Sequence, residues 1–341
     1  INIYMNSLKK VILISAGDPA SISTEITIKA IENSKIIKNI RPIVISSSNL
    51  IEDCKKNINS IIKLNEIKDK VNFSDYKENN LNIIPISLFE EIIFGKPNTK
   101  YASFIKNSII DCVRIKMNSI ASAIVTNPIN KEIMYQSGFN FQGHTDFLAS
   151  LSQYKKIPVM MLVTNGLKTI PLTIHVPIKN IPKLITKSLI EHSINIAKES
   201  LISLFNISKP RILVTGLNPH AGENGDIGNE EKKIIIPAIN KAKKKYDCFL
   251  EGPVSADTAF SSKKRNDYDV AICMYHDQAL IPIKTLDFFN GVNVTLGLDF
   301  IRTSPDHGTA FDIAGKNIAN PDSLIAAINL AYQMSINKQD G

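Results

Sequence analysis

The sequence predicts an α/β protein built on a mostly parallel sheet, in about two domains or one large one. Short β-branched apolar runs recur along the whole chain. Each is followed by a polar or Gly/Pro-rich loop and then by a helical pattern, the alternation that parallel sheets require. At 341 residues the chain is long enough for about two domains and can bury a core without disulfides.

The first unit of the alternation is VILIS (11–15), leading through AGDPASIS into a helix over about 24–33. PIVIS (42–46) leads into SSNLIEDCKK. The Lys- and Asn-rich segment 49–82 reads as helix and loop on the surface. ASAIVT (121–126) leads into NPINKEIMYQSG. VMMLVT (159–164) and IPLTIHV (170–176) read as a strand pair around the turn Asn165-Gly166. RILVTGL (211–217) leads into a long Gly-rich loop and a helix over about 230–245. DVAICMYH (269–276) and VNVTLG (292–297) complete the strands, LDFIRTSPDHGTA reads as a loop, and a helix over about 323–335 closes the chain.

Composition excludes several classes. No apolar run approaches the roughly 18 residues of a membrane span. Cys54, Cys112, Cys248 and Cys273 show no CxxC spacing, which argues against a Cys-type zinc site and suits a reducing cytoplasm. The N-terminal residues carry no long apolar stretch of a signal peptide, and Met5 is a plausible initiator. The net charge of +8 comes from Lys spread through an Ile-, Lys- and Asn-rich sequence without interleaved aromatics, so no nucleic-acid partner is expected.

Polar residues gather at predicted strand ends, where α/β sheets bind ligands. Asp18, Thr126-Asn127-Pro128, His175, His220 and His276 all lie there. Three separated histidines converging from strand ends would suit a catalytic metal site, although a strand-end histidine is more often structural. Asp257 and Asp277 are possible further ligands or orienters. In GLNPHAGENGDIGNEE, Gly222, Gly225 and Gly228 recur every third residue between strand and helix, a pattern that lets backbone N–H groups approach an anion. The plainer reading is a long turn capped at Asn229. Lys284, Asn293 and Arg302 surround the last strand and could anchor phosphate or carboxylate. His144 and Thr145 could donate to an anion, or Thr145 could cap the helix that follows. Ser304, Asp306 and His307 crowd one loop too closely for a hydrolytic triad.

Together, GLNPHAGENGDIGNEE, EGPVSADTAF, MYHDQALIPIK and GVNVTLGLDFIRTSPDHGTAFDIAG resemble the 4-hydroxythreonine-4-phosphate dehydrogenases of vitamin B6 biosynthesis. SAGDPASISTEI, TNPINKEIMYQSGFNFQGHTDFLA and TIHVPIKNIP extend the resemblance over nearly the whole chain. It implies a two-domain α/β/α fold with a mostly parallel sheet, like the isocitrate and isopropylmalate dehydrogenases, with a cleft between the domains. We expect 1–125 plus 305–341 to form one domain. The other, 126–304, would carry the metal ligands and a dimer interface. The resemblance implies a homodimer with shared active sites, and one divalent metal ion (Zn, Mg or Co) held by His175, His220 and His276. It implies NAD or NADP as cofactor, with Asp257 near metal and cofactor. It further implies a small phosphorylated amino-acid substrate held by His144, Thr145, Lys284, Asn293 and Arg302. The implied reaction oxidises the C3 hydroxyl of 4-phosphooxy-L-threonine, and loss of CO2 gives 3-amino-2-oxopropyl phosphate.

The sequence departs from the family pattern in places. The usual GDPAGIGPE reads GDPASISTE, TGP reads TNP, and HDQG reads HDQA, placing Ser21, Ser23, Thr24, Asn127 and Ala279 at substituted positions. Related dehydrogenases acting on 4-phospho-threonate, 4-phospho-erythronate or dihydrodiols are alternatives, as is a non-catalytic paralogue.

Overall fold

The computed structural model describes residues 9–33, 35–141, 143–154 and 156–338; Met5 lies outside them. The Ile- and Val-rich runs form strands β1 (Lys10–Ser15), β2 (Ile40–Ser46), β3 (Lys63–Glu66), β4 (Asn80–Pro85), β5 (Ala123–Val125) and β6 (Val159–Thr164). They continue as β7 (Leu167–Pro171), β8 (Arg211–Thr215), β9 (Phe249–Val254), β10 (Val270–Cys273), β11 (Val292–Leu296) and β12 (Ile301–Pro305). The helices are α1 (Ser23–Glu32), α2 (Ser48–Ile58), α3 (Ala102–Met117), α4 (Lys131–Gln136), α5 (His144–Leu151) and α6 (Ile181–Leu184). They continue as α7 (Lys187–Phe205), α8 (Ile236–Lys245), α9 (Ala256–Ala259), α10 (His276–Leu286) and α11 (Asp322–Asn337).

The chain divides into two compact units, Ile1–Lys156 with Leu298–Ile336, and Ile157–Gly297 with Asn337–Gly341. In the first, the strand order is β3-β4-β2-β1-β5-β12 and every pairing is parallel. Strands covered on both faces read as continuous apolar runs, which is why Ile12, Leu13, Ile14, Ile43 and Ile45 are buried in succession. In the second, the order is β11-β6-β7-β10-β8-β9, and only β6 runs against the rest. The two-residue turn Asn165-Gly166, with Gly166 at φ 77°, joins β6 to β7.

The boundary falls later than 125, because α4 and α5 stay with the first unit. Phe139, Phe141 and Phe147 form an aromatic trio with centroids 5.0–5.1 Å apart, packed on that unit's core. It falls earlier than 304, because β12 pairs with β5.

Three local expectations need correction. Segment 49–82 is not all surface helix and loop: it contains β3 and the start of β4, whose Leu81, Ile83 and Ile84 are fully buried. Lys and Asn on the flanks hid a short apolar alternation. The stretch read as a loop around Arg302 contains β12, whose polar Arg302, Thr303 and Ser304 are buried against neighbouring strands rather than solvated. The strand expected over 170–176 is Leu167–Pro171, so His175 stands four residues beyond its end. His192 lies on α7 as a helical residue, its ring nitrogen 2.8 Å from the Ile157 carbonyl.

Candidate active site

In the first unit, the ends of β1, β5 and β12 are tied into one polar framework. Asn127 donates through Nδ2 to the Ser15 carbonyl (2.9 Å) and to Thr27 Oγ1 (2.8 Å). Gly17 turns the chain out of β1 at φ 74°, and a Cβ there would lie 2.5 Å from Ser23 Oγ and 2.6 Å from Asn127 Cβ. Ser21 donates to the Asp18 carbonyl (2.6 Å) and Ser23 to the Pro128 carbonyl (3.3 Å). Of the serines that replace family glycines, Ser21 closes its own loop and Ser23 ties it to the next, and neither Ser21, Ser23 nor Ala279 has positive φ. Asp18 is fully buried. Its Oδ1 accepts from Ala20 N–H, its Oδ2 has no partner among the described residues, and burial raises its carboxyl to about 6.

Arg302 projects from β12 and is only 2% exposed. Its Nε and Nη2 both donate to Thr126 Oγ1, at 3.1 and 2.6 Å. Burial lowers its guanidinium to about 9, which leaves it cationic at neutral pH. His144 begins α5, and its Nε2 is buried without a partner among the described residues. Burial, then the charges of Arg302 and Lys131, hold this imidazole well below the usual histidine range. Thr145 lies inside the first turn of α5, behind the N-cap Gly143, so it does not cap the helix.

In the second unit, β7, β10 and β8 are adjacent and parallel, and each carries one of the three histidines just beyond its C-terminal end. Leu172 N–H donates to the Cys273 carbonyl (2.8 Å) and Thr173 Oγ1 to the Met274 carbonyl (2.8 Å), binding the first two ends together. This brings the His175 and His276 rings to 5.6 Å between centroids at 41°. Asp277 Oδ1 lies 2.9 Å from His276 Nδ1. The carboxylate accepts there, so Nδ1 is the donor, and in the neutral ring Nε2 is the nitrogen left to bind an ion. Gln278 joins the third end: its Oε1 accepts from Met274 N–H and Thr215 Oγ1 (both 2.7 Å), and its Nε2 donates to the Gly216 carbonyl (2.9 Å).

His220 rides on a left-handed turn. His220, Ala221, Gly222, Glu223 and Asn224 have φ of 50, 50, 82, 41 and 56°, a conformation that costs non-glycine residues about 1–2 kcal/mol each. Buried Glu231 holds the turn. Its Oε1 accepts from Leu217 and Asn218 N–H (both 2.8 Å), and its Oε2 from Asn218 Nδ2 (2.9 Å). A Cβ on Gly222 would lie 2.6 Å from Glu231 Oε2, and one on Gly228 would strike the Asn218 amide. Gly222 and Gly228 thus make room for a carboxylate and an amide of the chain itself, while Gly225 (φ 101°) packs near Asn229 and Lys232. Asn229 is not the helix cap, because a π-type turn over Glu231–Ile235 precedes α8.

Asp257, on α9, is exposed; the Ser255 hydroxyl, helped by backbone N–H groups and His220, holds its carboxyl below the usual range. Beside it opens a cleft of about 380 Å³, lined by Asp257, Phe260, Tyr275, Asp277, Ile281 and Leu286 among others. Lys284 stands on α10, its Nζ 5.0 Å from the Phe288 ring centroid. Asn293 is on β11, and its Oδ1 is buried without a partner among the described residues. No group of three or more His, Cys, Asp or Glu side chains among the described residues is arranged to hold a metal ion. The structure therefore brings His175 and His276 together, and sets His220 beyond the adjoining strand and near Asp257, without completing a three-imidazole set.

Sequence reading passed over Lys131 and Gln278. Lys131 had a usable signal, since a lysine directly after a capping asparagine opposes the helix dipole. Gln278 had only its place after a strand end.

Residues 38–331 match the family described as pyridoxal phosphate biosynthetic protein PdxA. A 4-hydroxythreonine-4-phosphate dehydrogenase of Sulfurihydrogenibium sp. is 42% identical over 323 residues, covering 93% of this chain and 96% of that protein. The one from Caulobacter vibrioides is 40% identical over 94% of this chain and 96% of its own length. Among solved structures, the 4-hydroxythreonine-4-phosphate dehydrogenase of Klebsiella pneumoniae superposes with TM-score 0.85 at 33% identity, covering 96% and 99%. A terephthalate dihydrodiol dehydrogenase of Burkholderia xenovorans, at 22% identity and TM-score 0.63, shares the fold alone. A match along so much of the chain makes it a member of the PdxA family of pyridoxal phosphate biosynthetic proteins.

Proposed function

We propose that the chain catalyses NAD(P)-dependent oxidation of 4-phosphooxy-L-threonine at C3, followed by decarboxylation to 3-amino-2-oxopropyl phosphate. The observation that carries this reading is the likeness, over more than nine-tenths of the chain, to dehydrogenases bearing that substrate's name. The geometry supports it. The first unit offers a buried cation, Arg302, beside a neutral imidazole, His144, which suits an anionic substrate group. Thr145 and Lys284 are assigned to the same substrate. So is Asn293, whose Oδ1 has no partner among the described residues and suits an ammonium or hydroxyl donor.

His175, His220 and His276 are assigned to one divalent ion. The donor chemistry fits: His276 is oriented by Asp277, and the His175–His276 separation suits two imidazoles each reaching an ion from about 2 Å. When bound, the ion supplies Lewis acidity at the oxygen being oxidised, and the nicotinamide accepts the hydride. A homodimer with shared active sites, as the resemblance implies, would let a partner subunit complete the set. A cytoplasmic setting suits such a metabolic enzyme, and no helix among the described residues is long and apolar enough to cross a membrane.

The test is turnover of 4-phosphooxy-L-threonine with NAD or NADP and Zn, Mg or Co, followed as reduced nicotinamide and released CO2. Activity confined to 4-phospho-threonate, or none with any metal, overturns the reading.

A further inference from the structure

We propose that Lys131 is a specificity-determining residue of the anion site, making that site, together with Arg302, selective for a doubly charged group. The inference rests on the functional reading above, which assigns Arg302 and His144 to the substrate.

Lys131 occupies the first position of α4, directly after the cap Asn130, whose side chain accepts from Ile133 N–H at 2.9 Å. A cation there opposes the helix dipole, so helix stability does not account for it. Its stem lies across the start of α5. A Cβ on Gly143 would sit 3.3 Å from Lys131 Cε and 3.6 Å from Nζ. The ammonium is thus next to the backbone that carries His144. Arg302, buried on β12, bears on the same imidazole through its charge. Two cations on separate elements therefore act on one neutral ring, one buried and one exposed. Lys131 makes no ion pair among the described residues. An anion seated at the His144 ring is attracted by both charges. A dianion gains from both cations about twice what a monoanion gains, so Lys131 raises affinity for phosphate more than for a singly charged group.

Inorganic phosphate at pH 8 and nitrate at equal ionic strength are the probes, with binding measured by calorimetry on the wild type, Lys131→Gln and Lys131→Arg. Lys131 is exposed, so neither variant disturbs the core. Lys131→Gln should weaken phosphate binding about tenfold and nitrate binding markedly less, with Lys131→Arg restoring most of the loss. The His144 ring, followed by NMR, should titrate at higher pH in Lys131→Gln, because a repelling charge has gone. KM for 4-phosphooxy-L-threonine should rise with the phosphate dissociation constant while kcat changes little. Equal losses for both anions, or an unchanged phosphate constant, overturn the proposal. If the wild type binds phosphate with this Lys131 dependence but does not oxidise 4-phosphooxy-L-threonine, the functional reading fails and the anion site stands.

Discussion

In the first unit the candidate groups are locked before any ligand arrives. Arg302 is buried on a strand with two of its donors on Thr126, and His144 is kept neutral beside it. In the second unit, His175 and His220 are exposed and stand on positive-φ backbone, at 31° and 50°. The first unit spends stability on a desolvated cation. The second spends it on backbone strain, offset by the hydrogen bonds gathered by Glu231. A rigid anchor suits recognition of a fixed charge. Exposed imidazoles suit ligation by an ion that brings its own geometry.

The most severe way to break the comparison is His220→Ala. Losing an orienting partner of a metal ligand costs roughly 10–100-fold, so losing a ligand should exceed about 100-fold in kcat/KM. The circular dichroism spectrum should stay unchanged, because the turn is held by Glu231 rather than by the imidazole. Activity that survives both this substitution and chelation would remove His220 from the metal site.

Arg302→Met separates recognition from folding in the first unit. KM should rise by about 30-fold or more, since a charge-assisted contact is lost. Resistance to denaturant should hold or improve, because an apolar chain of similar length replaces a desolvated cation. A large loss of stability would mean that the guanidinium is structural, and that the anion site lies elsewhere.

These contrasts were unevenly legible in the sequence. The strand ends bearing His175, His220 and His276 stood out because β-branched runs lead straight into them. Arg302 was readable as a cation but not as a buried one, since the polar sequence of β12 resembles a loop. Lys131 was lost among the many lysines of this composition. The Gly222–Gly228 spacing was visible, yet its use depends on Glu231 and Asn218 folding back beneath it, a tertiary contact that spacing cannot encode. The substituted Ser21 and Ser23 looked like lost glycines, whereas the Ser21 hydroxyl closes its own loop and the Ser23 hydroxyl ties that loop to the next.

Glu231→Ala sharpens the account of the left-handed turn. It leaves buried donors at Leu217 and Asn218 without their acceptor, at a cost of about 4 kcal/mol in denaturant unfolding. Metal affinity should fall with it. Unchanged metal binding would mean that the turn does not need this carboxylate to present His220.

The most gradual effect expected is a pH slope from the first unit. Burial raises the Asp18 carboxyl from 3.8 to about 6, so the fold favours the protonated form. Its contribution to stability is complete below about pH 4. It is lost as pH rises through about 6, where the carboxylate must ionise without a partner for Oδ2 among the described residues. Asp18→Asn cannot ionise and should lack this slope. The variant should gain on the wild type by up to about 3 kcal/mol between pH 4 and pH 8, measured by guanidinium unfolding across that range. Asp257 of the second unit is exposed and held below the usual range, so Asp257→Asn should not reproduce that gain above pH 4. If the difference between wild type and Asp18→Asn stays flat from pH 4 to pH 8, the Asp18 carboxylate is solvated or paired in solution, and the first unit is less dry than its buried framework implies.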